Sequence, residues 1–297
     1  MMVAPTATPA ESALRKGEPR AALTCLQEQV RANPSDAKLR IFLFQLLAVC
    51  GEYERAVNQL AVSAQLDAGA TAMAQTYREA IRCELYRREV FAGRRTPLVL
   101  GDPQDWTARL AEALALDAAG QREAASVLRT EAFASAPACA GRVDGRLFAW
   151  IADADSRLGP VLEAIVNGIY YWLPFVNLAR LEIDAPEDLR DLVWTPARLH
   201  FTNGGGTVAL IPTRYVGSEA TGDAALQLAR RTEWREAAPD VFAGLGQRLL
   251  ATDAEEFALH EARVIEWDRA VPHATDNRDA SCVADHAAAA GDAGSSS

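Results

Sequence analysis

The pattern of apolar and polar positions changes period near residue 140. Ahead of it, Leu39, Phe42, Leu46 and Val49 share one face of a helix whose second face carries Ile41, Phe44 and Ala48, so this helix packs against neighbours on two sides. Trp106, Leu110, Ala113 and Leu114 mark another, opened at Asp105. Farther on the period drops toward two, and short strands are predicted over 147–152, 161–166, 169–173, 178–183, 198–202 and 207–211. Asn167-Gly168 suits a type I′ hairpin turn, which needs positive φ at both central residues. A second turn falls on Asn203 and the three glycines after it. Residues 186–192 read as a helical turn capped by Asp184, and 223–231 and 253–261 read as partly helical.

The helical half repeats itself. Gly17-Glu18 precedes Ala22 by five residues, Gly51-Glu52 precedes Ala56 by five, and the two glycines lie 34 residues apart. That is the tetratricopeptide period. Leu23 matches Val57 and Leu26 matches Leu60, a third copy starts at Gly120 with Ala125, and a degenerate unit fits over 72–92. Pro34 and Pro137 each fall 17 residues after a repeat glycine, where proline stops the second helix of a pair. The alternative is a set of unrelated amphipathic helices in an alanine-rich chain. The expected fold is α+β and multidomain. A disordered N-terminus (1–10) precedes a TPR-like α-helical repeat domain (11–138). A β-rich α+β domain (139–268), a small barrel or strongly twisted sheet, precedes a disordered low-complexity tail (269–297).

Charge narrows the partners. With 30 Lys+Arg against 40 Asp+Glu the net charge is −10, so there is no basic footprint for a phosphate backbone and nucleic acid is not expected. Five scattered cysteines, none in a C-x-x-C pair, suggest neither a disulfide framework nor a zinc site and fit a reducing cytoplasm. No basic-plus-apolar leader and no long apolar run occurs, so neither export nor membrane insertion is expected.

Candidate chemistry is sparse. Asp153 and Asp155 sit at alternate strand positions and point the same way, as a divalent cation would need. A third ligand is missing nearby, and Arg157 offers an internal ion pair that fixes the turn. The glycines at 204–206 and at 244 and 246 lack the Gly-Lys-Ser/Thr that completes a phosphate cradle. The four histidines form no ligand pair, and no serine occupies a nucleophile elbow. No catalytic residue, metal or cofactor is therefore expected. Tyr77, Arg78, Arg82, Arg87 and Arg88 place a basic stripe on one helix, either a solvated face or a dock for an acidic or helical partner. Arg40, Phe44, Tyr77, Arg78 and Arg82 form the expected partner-binding set. The carboxylates at 153 and 155, beside aromatics at 170–172 and 175, leave open an enzyme or small-ligand-binding protein.

Several segments resemble one family. They are WIADADSRLGPVLE over 150–163 with Asn167-Gly168, Tyr170-Tyr171-Trp172 and Pro174-Phe175, PEDLRDLVW over 186–194, ALIPTRY over 209–215, RTEW over 231–234 and GLGQR over 244–248. Together they closely resemble the ImpE/SciE (TagJ) family of type VI secretion accessory proteins, over about residues 10–267. Asp153, Asp155, Arg157, Tyr171, Trp172, Trp194, Arg214 and Trp234 belong to these motifs without an assigned role. The resemblance implies a non-enzymatic, cytoplasmic adaptor. Its implied partners are the N-terminal helix of the small sheath subunit and a ClpV-type ATPase that recycles contracted sheath; self-association stays open.

Overall fold

The computed structural model describes residues 7–268, except 103, 239 and 240. The expected disordered tail over 269–297 and residues 1–6 of the expected disordered N-terminus lie outside the described residues. The helices are α1 (Pro9–Arg15), α2 (Pro19–Ala32), α3 (Ala37–Val49), α4 (Tyr53–Leu66), α5 (Thr71–Phe91), α6 (Asp105–Ala118) and α7 (Arg122–Ser135). α1 begins inside the span expected to be frayed, because Thr8 and Glu11 cap each other's backbone N–H groups.

Gly17, Gly51 and Gly120 adopt φ of 81°, 75° and 79°. This left-handed geometry ends α1, α3 and α6 and lets the chain fold back. The helices therefore pack as hairpins: α1 with α2, α3 with α4, α6 with α7. Ala22, Ala56 and Ala125 are fully buried, as close helix approach requires. The degenerate unit expected over 72–92 is instead spanned by the single helix α5, which contains neither glycine nor proline to break it.

After β1 (Leu98–Val99), which lies between α5 and α6, come β2 (Gly141–Val143), β3 (Arg146–Phe148), β4 (Ile151–Asp153), β5 (Val161–Val166), β6 (Ile169–Pro174), β7 (Leu178–Ile183), β8 (Trp194–Phe201) and β9 (Gly206–Pro212). The short α8 (Ala224–Gln227) precedes β10 (Thr232–Ala238), β11 (Val241–Gly246), β12 (Leu249–Thr252), β13 (Glu256–Ala258) and β14 (Val264–Trp267). Nine strands form one sheet in the order β1-β6-β5-β9-β8-β7-β14-β2-β3, antiparallel except for β1 with β6. Its edges β1 and β3 do not pair, so the ladder is an open mixed sheet and not a closed barrel. β10 and β11 make a separate hairpin, and β4, β12 and β13 a three-stranded sheet.

Several local expectations change. The strand expected over 147–152 splits into β3 and β4, which join different sheets. Residues 253–261 hold β13 and turns instead of helix, and 223–231 is helical only at α8. Asp184 does not cap the 3-10 turn Leu189–Leu192; Asp188 and Asp191 cap each other there, and Asp191 also accepts the Glu187 N–H. At the β5–β6 turn Asn167 and Gly168 have φ of 49° and 72°.

β5 is buried along its whole length because both faces of the sheet are covered there. Val161 and Ile165 pack toward the helices with Phe44, Leu47, Tyr77, Ile81 and Trp194. Leu162, Ala164 and Val166 pack on the other face with Leu250 and Phe257 of the small sheet. One apolar cluster thus runs from the helical layer into the large sheet.

Candidate functional site

The single charge in β5, Glu163, points to the helix side and is fully buried. It meets α5, whose buried positions 77, 80, 81, 84 and 87 follow helical spacing and so bring Glu84 and Arg87 into the same interface. Arg87 holds Glu163 through two parallel bonds, Nε to Oε1 at 2.6 Å and Nη2 to Oε2 at 2.7 Å. Its Nη1 donates to Glu84 at 2.9 Å and its Nη2 to the Arg214 carbonyl at 3.0 Å. Tyr170 donates its hydroxyl to Glu163 and accepts the Trp172 indole N–H at 2.8 Å. Arg248, between β11 and β12, pairs with both Glu163 and Asp153 and donates to the Pro212 carbonyl at 2.9 Å.

The 153–157 motif continues the network. Asp153 Oδ1 accepts the Asp155 N–H at 2.9 Å and the Tyr215 hydroxyl at 3.0 Å, while Oδ2 takes Arg248. Asp155 accepts the Arg157 backbone N–H and guanidinium, the latter at 2.9 and 2.6 Å, and the Gly244 N–H at 2.9 Å. Ser156 and Phe242 exchange two hydrogen bonds, at 3.0 and 3.1 Å. Arg157 also lies 4.8 Å over the Phe91 ring. The motif clips the β10–β11 hairpin and the end of α5 to β4. All four carboxylate oxygens are engaged, and among the described residues no three His, Cys, Asp or Glu side chains gather as a metal site.

Burial opposes every one of these charges. At Glu163 burial pushes upward, but Arg87 and Arg248 outweigh it and hold the carboxyl at about 2. At Asp153 burial prevails over Arg248, and the carboxyl is pushed up to about 6. Arg87 is raised despite its burial, by Glu163 and then Glu84. An ionised Glu163 spent on two guanidiniums acts as a clamp between helix layer and sheet.

The other motif residues serve the same join. Arg214 donates to the Val49 carbonyl at 2.8 Å, to Ala48 at 3.4 Å and to Gln227, covering the open carbonyls at the end of α3. Trp194 is buried with ring centroids 6.3 Å from Tyr53 and 5.8 Å from Tyr77. Trp172 is fully buried, Tyr171 is half-buried beside β1, and Trp234 packs 5.6 Å from Tyr215.

The expected partner-binding set is dispersed. Phe44 and Tyr77 lie in the core, 5.6 Å apart, with Arg190 4.8 Å over the Tyr77 ring. Arg40 is tied to the Pro34 carbonyl and, at 2.9 Å, to Gln59. The basic stripe of α5 breaks, because position 87 shares the buried face with 77, 80 and 84. Arg88 lies 4.6 Å over Tyr53 and pairs with Glu219. Arg78 and Arg82 remain exposed, Arg82 bound to Glu79 and to the Gly168 carbonyl. The network residues Glu84, Glu163, Tyr215 and Arg248 had no role assigned from sequence, and Tyr170 entered only as one of the aromatics beside the carboxylates. Their available signal was charge at core spacing: Glu84 and Arg87 on an apolar helix face, Glu163 inside an apolar strand.

Elsewhere an open groove of about 510 Å³ lies between α1, α3 and residues 187–189. Leu14, Ile41, Phe42 and Leu189 line it, each only partly buried.

Helical hairpins docked on a mixed sheet, with the motif charges consumed at the join, define a helix-on-sheet scaffold. The family described as ImpE protein matches residues 145–266, the sheet side of that join. The type VI secretion system accessory component TagJ of Pseudomonas aeruginosa is 57% identical over 259 residues, covering 87% of this chain and 91% of that protein. The crystal structure of protein VPA1032 from Vibrio parahaemolyticus superposes with a TM-score of 0.81 at 25% identity, covering 88% of this chain and 98% of that one. The chain belongs to the ImpE family of type VI secretion accessory proteins. Among the described residues no helix is long and apolar enough to cross a membrane.

Proposed function

We propose that the chain is a non-enzymatic, cytoplasmic adaptor whose TPR-like helical unit (11–138), supported by the β-rich unit (139–268), receives the N-terminal helix of the small sheath subunit. Through that subunit it is linked to ClpV-dependent sheath recycling. The observation that carries this reading is the groove beside α3. One face of α3 is spent on the core, and the other leaves Ile41 and Phe42 half-buried at an opening large enough for a side-chain ridge. A partner helix laid there apolar face inward removes the remaining exposed part of those side chains from water, worth about 1 kcal/mol each, a fraction of the gain for a fully exposed side chain because both are already half-buried. Phe44 and Tyr77 contribute by shaping α3 and α5 from within, while the exposed Arg78 and Arg82 attract acidic partner surface at longer range. The enzyme or ligand-binding alternative has less support, since the oxygens of Asp153 and Asp155 are already engaged.

The test is capture of the small sheath subunit by the full chain, with and without the subunit's first helix. Capture that disappears with the helix is expected; equal capture of the shortened subunit would refute the reading.

A further inference from the structure

The hairpin of β10 and β11 ends on a strand edge that the rest of the fold leaves open. Among the described strands β10 pairs only with β11. The far side of β11 is closed: Phe242 exchanges bonds with Ser156, the Gly244 N–H goes to Asp155 and the Gly246 N–H to the Ser218 hydroxyl. Residues directly opposite in an antiparallel pair turn their backbone groups alike, both into the ladder or both away from it. Phe242, Gly244 and Gly246 stand opposite Glu236, Trp234 and Thr232, so those three aim their N–H and C=O groups off the free edge of β10. Such an edge is a template for another strand wherever its charges permit.

The side chains along this edge divide by face. Trp234 is 37% exposed and Phe242 43%, and they lie diagonally on one face of the hairpin, within reach of each other. Exposed aromatics of this kind anchor protein interfaces. On the other face Glu233 is bound to Arg231 at 2.5 Å, while Arg235 is exposed and makes no ion pair among the described residues.

We propose that β10 pairs antiparallel with β10 of a second copy of this chain, in the register that sets Trp234 opposite its own counterpart across a two-fold axis. Strands related by such an axis run antiparallel, and the outward residues of both must meet. In this register Trp234 exchanges both backbone bonds with its counterpart, and Thr232 does the same with Glu236 of the second copy. Glu233 then stands opposite Arg235 of the second copy, on both sides of the axis, in the closer pairs that share no backbone bond. Arg235 gains the acid it lacks. Centring the pairing on Glu233, Arg235 or Glu236 sets that charge directly against its own counterpart, which is destabilising, and centring it on Thr232 runs off the start of the strand. The alternation Glu233-Trp234-Arg235 therefore fits one register and opposes its neighbours, and this self-complementarity is what commits the edge to a second copy. The result is a four-stranded sheet, β11-β10-β10-β11, with Trp234 and Phe242 of both copies on one face. The groove beside α3 takes no part in it.

Sedimentation equilibrium of the full chain over a range of concentrations reads the association directly, and a reversible monomer–dimer equilibrium is expected. Glu233→Arg places arginine against arginine on both sides of the axis, and Arg235→Glu places glutamate against glutamate; each weakens dimerisation about tenfold. Mixed together, the two variants associate as tightly as wild type, because each sets its reversed residue opposite the unlike charge of the other. Glu236→Pro removes an N–H that the monomer does not use, at an edge position where proline is tolerated. It weakens the dimer about tenfold with an unchanged circular dichroism spectrum. A chain that stays monomeric throughout, a dimer indifferent to both charge reversals, or variants that fail to associate on mixing overturns the inference.

Discussion

Replacing Glu163 by Gln keeps the side chain's shape and removes the charge that Arg87, Arg248 and Tyr170 all use. The interior beneath α5 holds four carboxylates, at 84, 153, 155 and 163, against four guanidiniums, at 87, 157, 214 and 248. The substitution leaves it one positive charge in excess. Breaking a buried pair costs about 3–5 kcal/mol, because the remaining partner keeps its desolvation penalty without its attraction. Arg87 still has Glu84 and Arg248 still has Asp153, so the lower end, about 3 kcal/mol, is expected for Glu163→Gln. Arg87→Met also strands Glu84 and is expected near the upper end, about 5 kcal/mol. The double variant removes one charge of each sign, so the two losses do not add; a coupling of about 2 kcal/mol is expected. Urea unfolding followed by circular dichroism and by tryptophan fluorescence measures this as a shift of midpoint at constant m-value. A loss below about 1 kcal/mol for Glu163→Gln, or simple additivity in the double variant, would refute the clamp.

The clamp also predicts acid sensitivity: Glu163 has a folded value of about 2, below the ordinary 4.5, so its stabilisation is complete above pH 4.5 and lost as pH falls from there toward 2. Unfolding midpoints of Glu163→Gln should be flatter than wild type in that window, and parallel slopes would count against the assignment. Gly120→Ala, at φ 79° with nothing within 4 Å of the new Cβ, should cost about 1 kcal/mol in thermal or urea unfolding. Gly51→Ala, at φ 75° and with that Cβ 2.6 Å from Glu219 Cγ, should cost more, about 2–3 kcal/mol; equal losses would remove the role given to the Glu219 contact. Arg78→Glu with Arg82→Glu should slow association with the sheath subunit about tenfold at low salt and leave the unfolding midpoint in place, as stopped-flow mixing would show. An unchanged association rate would exclude steering by α5.

What could be read from the sequence was local in physical origin. The glycines at 17, 51 and 120 end helices because a left-handed residue is needed at each, and that need is written at one position. The same holds for Asn167-Gly168, and the apolar run of β5 announces a strand covered on both faces. The short strands β12 to β14 were not legible, since a strand of three or four residues is defined by the partner whose hydrogen bonds it completes. Nor could the sequence show that 147–152 divides between two sheets, or that the arginines of α5 part company, with Arg87 buried and Arg78 exposed. The clamp joins Arg87, Glu163 and Arg248 across separations of 76 and 85 residues. Local propensity carries no information about such pairings. Only the folding of helices onto sheet decides which charges lose their water, and therefore which ones must find each other.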